Sequence, residues 1–332
     1  MRTVTIAIRR PITVLAACAA VGALVTGCGA GPGGTAAQIS SAALVGGHPV
    51  SLQTVQQNIT DVLADSADAR KLQQQKPSAF PPVARTIAQY AVWDEVTNQL
   101  AAKMGVTVGQ DKVDQLYNQV TASGQFPTLG QPSNIPVKGD LLKTFAKDNL
   151  LWGQLGTKQL GSTVYTLSYG AAPDRNGAQQ LVDKIVAHPE QHGAILDAAM
   201  VANGGSTPSD KGKTIDQTFP AAAVPQALQP LWGADAGTVV AFPVQDQSGS
   251  GAPSVWAVVY VQKIQDNVRS SAGGQDLSQL AGQFGFDMMV RYAQQVGVDL
   301  NPRFGVWEPL IGGVSASEGE TATLTAKVTS AP

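Results

Sequence analysis

The chain has 332 residues, of which 43% are hydrophobic and 14% are charged, so it is long enough for two modest domains with apolar cores. Its 22 basic and 24 acidic side chains give a net charge of −2. This balance provides no basic surface of the kind that binds a phosphate backbone, and it excludes nucleic acid as an expected partner.

The N-terminus has the three parts of an export signal. Several arginines precede a stretch of small apolar side chains at residues 12–25. That stretch is too short to span a bilayer as a permanent helix, so it predicts a cleaved signal peptide over residues 1–27. The sequence Leu-Val-Thr-Gly-Cys at residues 24–28 resembles a bacterial lipobox, in which the cysteine takes a diacylglycerol group.

Cys28 is therefore the predicted lipidation site, and the alternative is an ordinary signal peptide with a chance cysteine. Cys18 leaves with the signal, so the mature chain has one cysteine and no internal disulfide. It keeps 19 basic and 24 acidic side chains, a net charge of −5. We expect a protein anchored by the lipid on Cys28 to the extracytoplasmic face of the cell membrane, since no later segment predicts a spanning helix.

A flexible tether is predicted over residues 28–41, which are rich in Gly, Ala and Pro. Residues 42–160 then predict a helical region that opens with a short extended segment and a Gly46-Gly47 turn. Ser51 is a plausible N-cap for its first helix. Apolar side chains then recur every three or four residues in three further helices, which lie at about 82–104, 113–120 and 142–155.

Residues 161–265 predict a separate α+β domain. Strand patterns occur at Val164–Tyr169, Thr238–Val244 and Val255–Val261, and the last of these is apolar enough to be buried on both faces. Helix patterns lie between the first two strands, and they cover residues 177–187, 194–202 and 220–232.

Residues 276–309 predict a C-terminal helix, from Leu277 to about Val296, followed by an extended segment. One helix cannot bury its apolar stripe alone, so we expect it to pack on the N-terminal helices and to complete their domain. The α+β domain would then be an insertion. Residues 312–332 are small and polar and lack aromatics, which predicts a disordered tail.

This order of elements resembles the SurA/PrsA-type extracytoplasmic chaperone family. Three segments carry the resemblance: Ala42–Ser51, Leu100–Val108 and Val298–Trp307, the last of which is similar to the ending of actinobacterial members. The resemblance implies an α+β fold, in which a helical chaperone domain of N-terminal helices plus one C-terminal helix receives a parvulin-like insert.

Parvulins are prolyl isomerases, and active members carry a histidine on the first and on the last strand of the domain. Neither Val164–Tyr169 nor Val255–Val261 contains histidine, so we predict no catalytic residue and a degenerate insert. Phe219 is the one candidate for an apolar client-binding pocket. His188 and His192 are four residues apart, but Pro189 lies between them, so a solvated helix end is favoured over a metal site. We predict no metal and no cofactor.

The resemblance implies a holdase-type chaperone that binds unfolded exported polypeptides. Two alternatives stay open: an active parvulin-type prolyl isomerase, and a non-catalytic scaffolding lipoprotein with one dedicated envelope partner. The aromatic residues Tyr90, Trp93, Phe145 and Trp152 recur at helical spacing. Their expected place is the core, and the alternative is a cradle for clients.

Overall fold

The structure is a computed structural model that describes residues 40–129, 135–202, 216–244, 255–268 and 278–328. The predicted signal peptide, the lipidation residue and almost all of the predicted tether lie outside the described residues. Within the described part of the chain, no helix is long and apolar enough to cross a membrane. Helices and antiparallel sheets are both present, so the predicted α+β class is confirmed.

A three-stranded sheet joins the start of the described chain to residues 298–300. It has the order β2-β1-β7, with β1 at Ser41–Val45, β2 at His48–Ser51 and β7 at Val298–Leu300. Gly46 and Gly47 turn the chain between β1 and β2 with φ angles of +57° and +82°. Positive φ at both turn positions fits a tight two-residue hairpin, which glycine adopts without strain.

Five helices follow this hairpin: α1 (Leu52–Asp65), α2 (Ala67–Gln75), α3 (Pro81–Met104), α4 (Gln110–Ser123) and α5 (Gly139–Gln159). The Ser51 hydroxyl accepts a hydrogen bond of 3.1 Å from the backbone N–H of Thr54, which confirms the predicted N-cap. Ser66 caps α2 in the same way, through the N–H of Ala69. That second cap begins a helix that the sequence pattern does not predict.

A five-stranded antiparallel sheet forms the second structured region. Its order is β10-β5-β6-β3-β4, and two helices, α6 (Arg175–Ala187) and α7 (His192–Ala202), follow β3. The strands are β3 (Val164–Ala172), β4 (Gln217–Pro220), β5 (Thr238–Val244), β6 (Val255–Gln265) and β10 (Leu324–Lys327).

The helix predicted over residues 220–232 is wrong. The segment begins with Pro220 at the end of β4 and continues as two 3-10 turns, Ala221–Ala223 and Gln226–Gly233. Pro230 lies inside the second turn, where it has no N–H for a helical hydrogen bond. It also disfavours the helical conformation of the residue before it.

The disordered tail predicted over residues 312–332 is also wrong for residues 313–328. Gly313–Ser315 forms β9, which pairs with β8 at Val306–Glu308, and β10 pairs with β5. Alternate residues of β10, Leu324 and Ala326, pack against the core under α6. Burial on one face therefore outweighs the polar composition, and the sheet extends beyond the predicted 161–265 boundary.

The C-terminal helix α8 (Ser278–Val296) packs on α5 at close range. Gly156 of α5 lies against the backbone of Ala281, and Gly285 of α8 lies against the backbone of Trp152. A Cβ atom at either glycine would overlap a backbone carbonyl oxygen of the opposite helix. The two helices therefore meet through reciprocal glycines, which allow their backbones to touch.

Two apolar cores result from this arrangement. The larger core is continuous from the N-terminal helices through α8 to one face of the five-stranded sheet, where it includes Tyr165, Leu167 and Val259. The smaller core lies on the other face, between that sheet and the helices α6 and α7. The helical region and the sheet are thus packed as neighbours that share one core.

A buried polar network crosses the joint between α8 and the sheet. The guanidinium of Arg291 donates a hydrogen bond of 3.3 Å to the Tyr165 hydroxyl and lies 3.7 Å from a carboxylate oxygen of Asp266. Asp287, one turn away on α8, accepts a hydrogen bond of 2.9 Å from Gln283. Burial raises the pKa of Asp287 to about 7, which leaves this carboxyl group poised to titrate near neutrality.

Candidate functional site

A cleft of about 520 Å³ lies between the C-terminal elements of the helical region and one corner of the five-stranded sheet. Its walls come from the end of α8, from β7 and β8, and from β5 and β10. Most of the wall residues are apolar, and they include Ala293, Val298, Leu300, Val306, Trp307 and Pro309.

Polar groups surround these apolar walls. The ammonium group of Lys327 lies 3.5 Å from the carboxylate of Asp235, and both residues line the cleft. The amide of Gln294 donates hydrogen bonds to the carbonyl oxygens of Pro309, at 2.8 Å, and of Gly233. An apolar interior with a few fixed polar groups is the usual composition of a ligand-binding cleft.

Two residues of the cleft wall carry buried polar atoms without a hydrogen-bond partner. The indole N–H of Trp307 and the hydroxyl of Thr325 find no partner among the described residues. An unsatisfied buried donor costs about 1–3 kcal/mol. Both residues therefore have hydrogen-bonding capacity that the fold itself does not use.

A second polar cluster lies on the face of the five-stranded sheet that α6 and α7 cover. The backbone N–H of Asp216 donates to the hydroxyl of Ser168 at 2.8 Å, and the Asp216 carboxylate lies 3.1 Å from Nε2 of His192. Gln262 donates hydrogen bonds to both Ser168 and Asp216. The hydrogen bond from Gln262 lowers the pKa of Asp216, and His192 contributes in the same direction.

This cluster corrects the interpretation of His192 as a solvated helix end. The His192 side chain is 15% exposed, and its ring contacts Tyr260 edge to face at a centroid distance of 5.4 Å. His188 is exposed and lies 3.8 Å from Glu190. Because the groups of the cluster satisfy one another, the arrangement fits an anchor for the start of α7 better than an open site.

Phe219, the predicted client-pocket residue, lies on the edge strand β4, where it pairs with Tyr165. It is half-buried and packs on the larger core, and it does not line the cleft. Its role in client binding stays a prediction, as does lipidation of Cys28.

The four aromatic residues of the helical region pack as one cluster with Phe286 of α8. Ring centroids of neighbouring members are 5.0–6.2 Å apart. The indole N–H of Trp152 donates to the Thr97 hydroxyl at 2.9 Å, and that of Trp93 donates to the carbonyl of Gly312 at 2.6 Å. The cluster therefore fastens α3, α5 and α8 together, which is the core role that the helical spacing predicts.

Sequence reasoning missed the cleft because its walls come from distant segments. The sequence predicts only an extended segment for residues 298–309, and residues 325–327 lie in the predicted tail. The one available signal was the pair of short strand patterns at Val306–Glu308 and Leu324–Lys327, in which β-branched and aromatic residues occur.

No protein-family model matches the sequence, and no curated protein matches it. Among solved structures, the chain is similar to foldase protein PrsA from Streptococcus pneumoniae, with 12% identity over 68% of this chain and 87% of that chain and a TM-score of 0.25. It is also similar to foldase protein PrsA from Lactococcus lactis, with 10% identity over 78% of this chain and 94% of that chain and a TM-score of 0.24. Both likenesses are distant, and neither assigns an activity to this chain.

Proposed function

We propose that this protein is a membrane-anchored, extracytoplasmic chaperone of the holdase type. It binds segments of unfolded exported polypeptides in the cleft between α8, β7 and β8 on one side and the corner of the five-stranded sheet on the other. The observation that carries the proposal is the cleft itself, which has apolar walls and a polar rim. Holding an unfolded chain requires accessible apolar surface, because such chains expose the side chains that a folded protein buries.

The proposed anchor places this cleft near the site where clients emerge. The predicted tether after Cys28, about a dozen residues long, would have an average reach of about 20 Å by random-coil scaling. A lipid on Cys28 would hold the chaperone body within that distance of the membrane surface.

We expect the mature chain, with Cys28→Ser to prevent lipidation, to suppress the aggregation of a reduced, unfolding client at several-fold molar excess. The measurement is light scattering during client unfolding, and an equal concentration of an inert protein is the control. Undiminished aggregation would exclude the holdase. Prolyl isomerisation of a reporter peptide is assayed in parallel, and a rate that falls in Phe219→Ala would favour the isomerase alternative.

A charge placed in the cleft should weaken this suppression. Val298 lines the cleft, and Val298→Lys puts an ammonium group on its apolar wall. Val201 is 50% exposed at the end of α7 and lies outside the cleft, so Val201→Lys is the matched control. We expect the first variant to lose most of the suppression and the second to retain it, with similar melting temperatures. Equal suppression by both variants would place client binding elsewhere.

Removal of the lipobox cysteine should release the protein from the membrane. In Cys28→Ser we expect loss of palmitate labelling and a shift from the membrane fraction to the soluble extracytoplasmic fraction. Cys18→Ser, which changes the other cysteine of the chain, should leave both properties unchanged. Labelled, membrane-bound Cys28→Ser protein would contradict the proposed anchor.

A further inference from the structure

In the part of the chain that the structure describes, the two larger sheets end in four edge strands. These are β2 and β7 in the three-stranded sheet, and β4 and β10 in the five-stranded sheet. An edge strand directs alternate backbone N–H and C=O groups away from its sheet, where another chain can pair with them.

The edge strand β10 borders the cleft. The N–H of Val328 donates to the carbonyl of Gly237 at 2.8 Å, which identifies Val328 as a residue whose backbone points toward β5. By the two-residue alternation of an antiparallel pair, the backbone groups of Thr325 and Lys327 point away from β5. Both residues also line the cleft.

The open edge of β7 borders the same cleft. The N–H of Asn301 donates to the carbonyl of Ala42, and the N–H of Gly46 donates to the carbonyl of Gly297, both at 2.9 Å. These bonds alternate with the positions of Val298 and Leu300, whose backbone groups therefore point away from β1. Val298 and Leu300 are both cleft residues.

Proline occupies the other two edges at outward-pointing positions. The N–H of Ala221 donates to the carbonyl of Thr163 at 2.8 Å, so the nitrogen of Pro220 faces away from β3. In β2, Pro49 follows His48, the residue that closes the hairpin, and its nitrogen likewise faces outward. Proline lacks an N–H and protects an edge from pairing. The two edge strands without proline are the two that line the cleft.

We propose that the cleft receives an extended segment of an unfolded polypeptide as an additional strand along β10. The inference rests on the proposed holdase function, and it specifies that the cleft recognises the backbone hydrogen-bonding groups of an extended chain. Thr325 and Lys327 would exchange backbone hydrogen bonds with the segment, while the apolar wall at β7 takes alternate side chains. Backbone pairing tolerates any sequence that lacks proline at the paired positions, which suits a site for varied unfolded chains.

The first test compares two fluorescein-labelled peptides of one alternating Ala-Val sequence. In the second peptide every central amide is N-methylated, which removes its hydrogen-bond donors but keeps its side chains. Anisotropy titration with the mature chain should show binding that is weaker by roughly tenfold or more for the methylated peptide, since two or more hydrogen bonds are lost. Equal affinities would overturn strand addition, because side-chain burial alone would then account for binding.

The second test changes the protein. Thr325→Pro removes an outward N–H from the β10 edge, and Thr218→Pro removes the equivalent N–H from the β4 edge of the same sheet. We expect Thr325→Pro to weaken binding of the unmethylated peptide roughly tenfold. Thr218→Pro, which leaves the β10 edge intact, should bind as the wild type does. Far-UV circular dichroism verifies the fold of each variant.

The outcomes separate this inference from the proposed function. If Thr325→Pro folds and still binds the peptide and suppresses aggregation normally, strand addition is wrong and the holdase stands. If the wild type suppresses no aggregation, the holdase itself fails. A concentration-dependent dimer in sedimentation that Thr325→Pro abolishes, without any peptide binding, would make the occupant of the edge a second copy of this chain and would overturn the inference. The comparison of the two peptides uses the wild-type protein, so it remains decisive even if a variant misfolds.

Discussion

Alanine at Gly156 or Gly285 should strongly destabilise the protein, whereas alanine at Gly153 or Gly282 should not. The first two glycines lie in the contact between α5 and α8, where a Cβ atom would overlap a backbone carbonyl of the opposite helix. Backbone cannot move aside as a flexible side chain can, so we expect a loss of about 3 kcal/mol or more in the free energy of unfolding.

Gly153 and Gly282 are controls on the same two helices. A Cβ atom at either position would meet no other atom within 4 Å. Alanine favours a helix over glycine by about 1 kcal/mol, so these two variants should be as stable as the wild type or slightly more stable. Urea titration followed by circular dichroism measures all four variants. Similar midpoints for Gly156→Ala and Gly153→Ala would show that the helices do not meet through these glycines.

The replacement Asp287→Asn should stabilise the protein most at about pH 8 and have little effect at or below about pH 4. Burial raises the pKa of Asp287 from its ordinary 3.8 to about 7. The folded state therefore holds this proton more tightly than the unfolded state does. Between these two pKa values the unfolded chain loses the proton while the folded chain keeps it, and stability falls as the pH rises. The penalty on the alkaline side is on the order of 4 kcal/mol, and asparagine removes it.

Asp61→Asn provides the matched control. Asp61 accepts a hydrogen bond from Gln57, four residues earlier on α1, just as Asp287 accepts one from Gln283, but Asp61 is exposed. We expect the stability difference between Asp61→Asn and the wild type to be small, because the Asp61 side chain is exposed. Denaturation midpoints across the pH range test both variants. An Asp287→Asn advantage that does not grow between about pH 5 and pH 8 would contradict a raised pKa at this position.

Long helices and the buried strands could be predicted from the sequence. The apolar period of α3 and the glycine at position 105 specify a helix that ends where the structure ends it, with Gly105 at a φ of +64°. The apolar run in β6 likewise specifies a buried strand. These elements carry a local signal over many residues, so distant contacts do not need to be known.

Short strands and the cleft could not be predicted in the same way. The four residues of β10 form a strand because β5 offers a partner edge and the space under α6 accepts Leu324 and Ala326. Neither condition can be seen in the local sequence. The direction of the backbone groups of Thr325 depends on the register with β5, which only the folded sheet defines. Pro220–Trp232 has the apolar pattern of a helix, but Pro230 lacks the N–H that a helical hydrogen bond needs, so the pattern predicts the wrong element.

The sheet formed by β1, β2 and β7 has a consequence for the order in which the protein can fold during the proposed export. Strand β1 lies near the start of the described chain, and its second partner, β7, begins only at Val298. The helix α5 likewise lacks its packing partner until α8 is present, and β5 lacks one of its paired strands until β10 is present. A chain that crosses the membrane from its N-terminus would be tethered first and could finish folding only after almost all of it had emerged. Contacts between such distant segments form slowly, so we expect a chain exported in this way to stay incompletely folded until these segments pair.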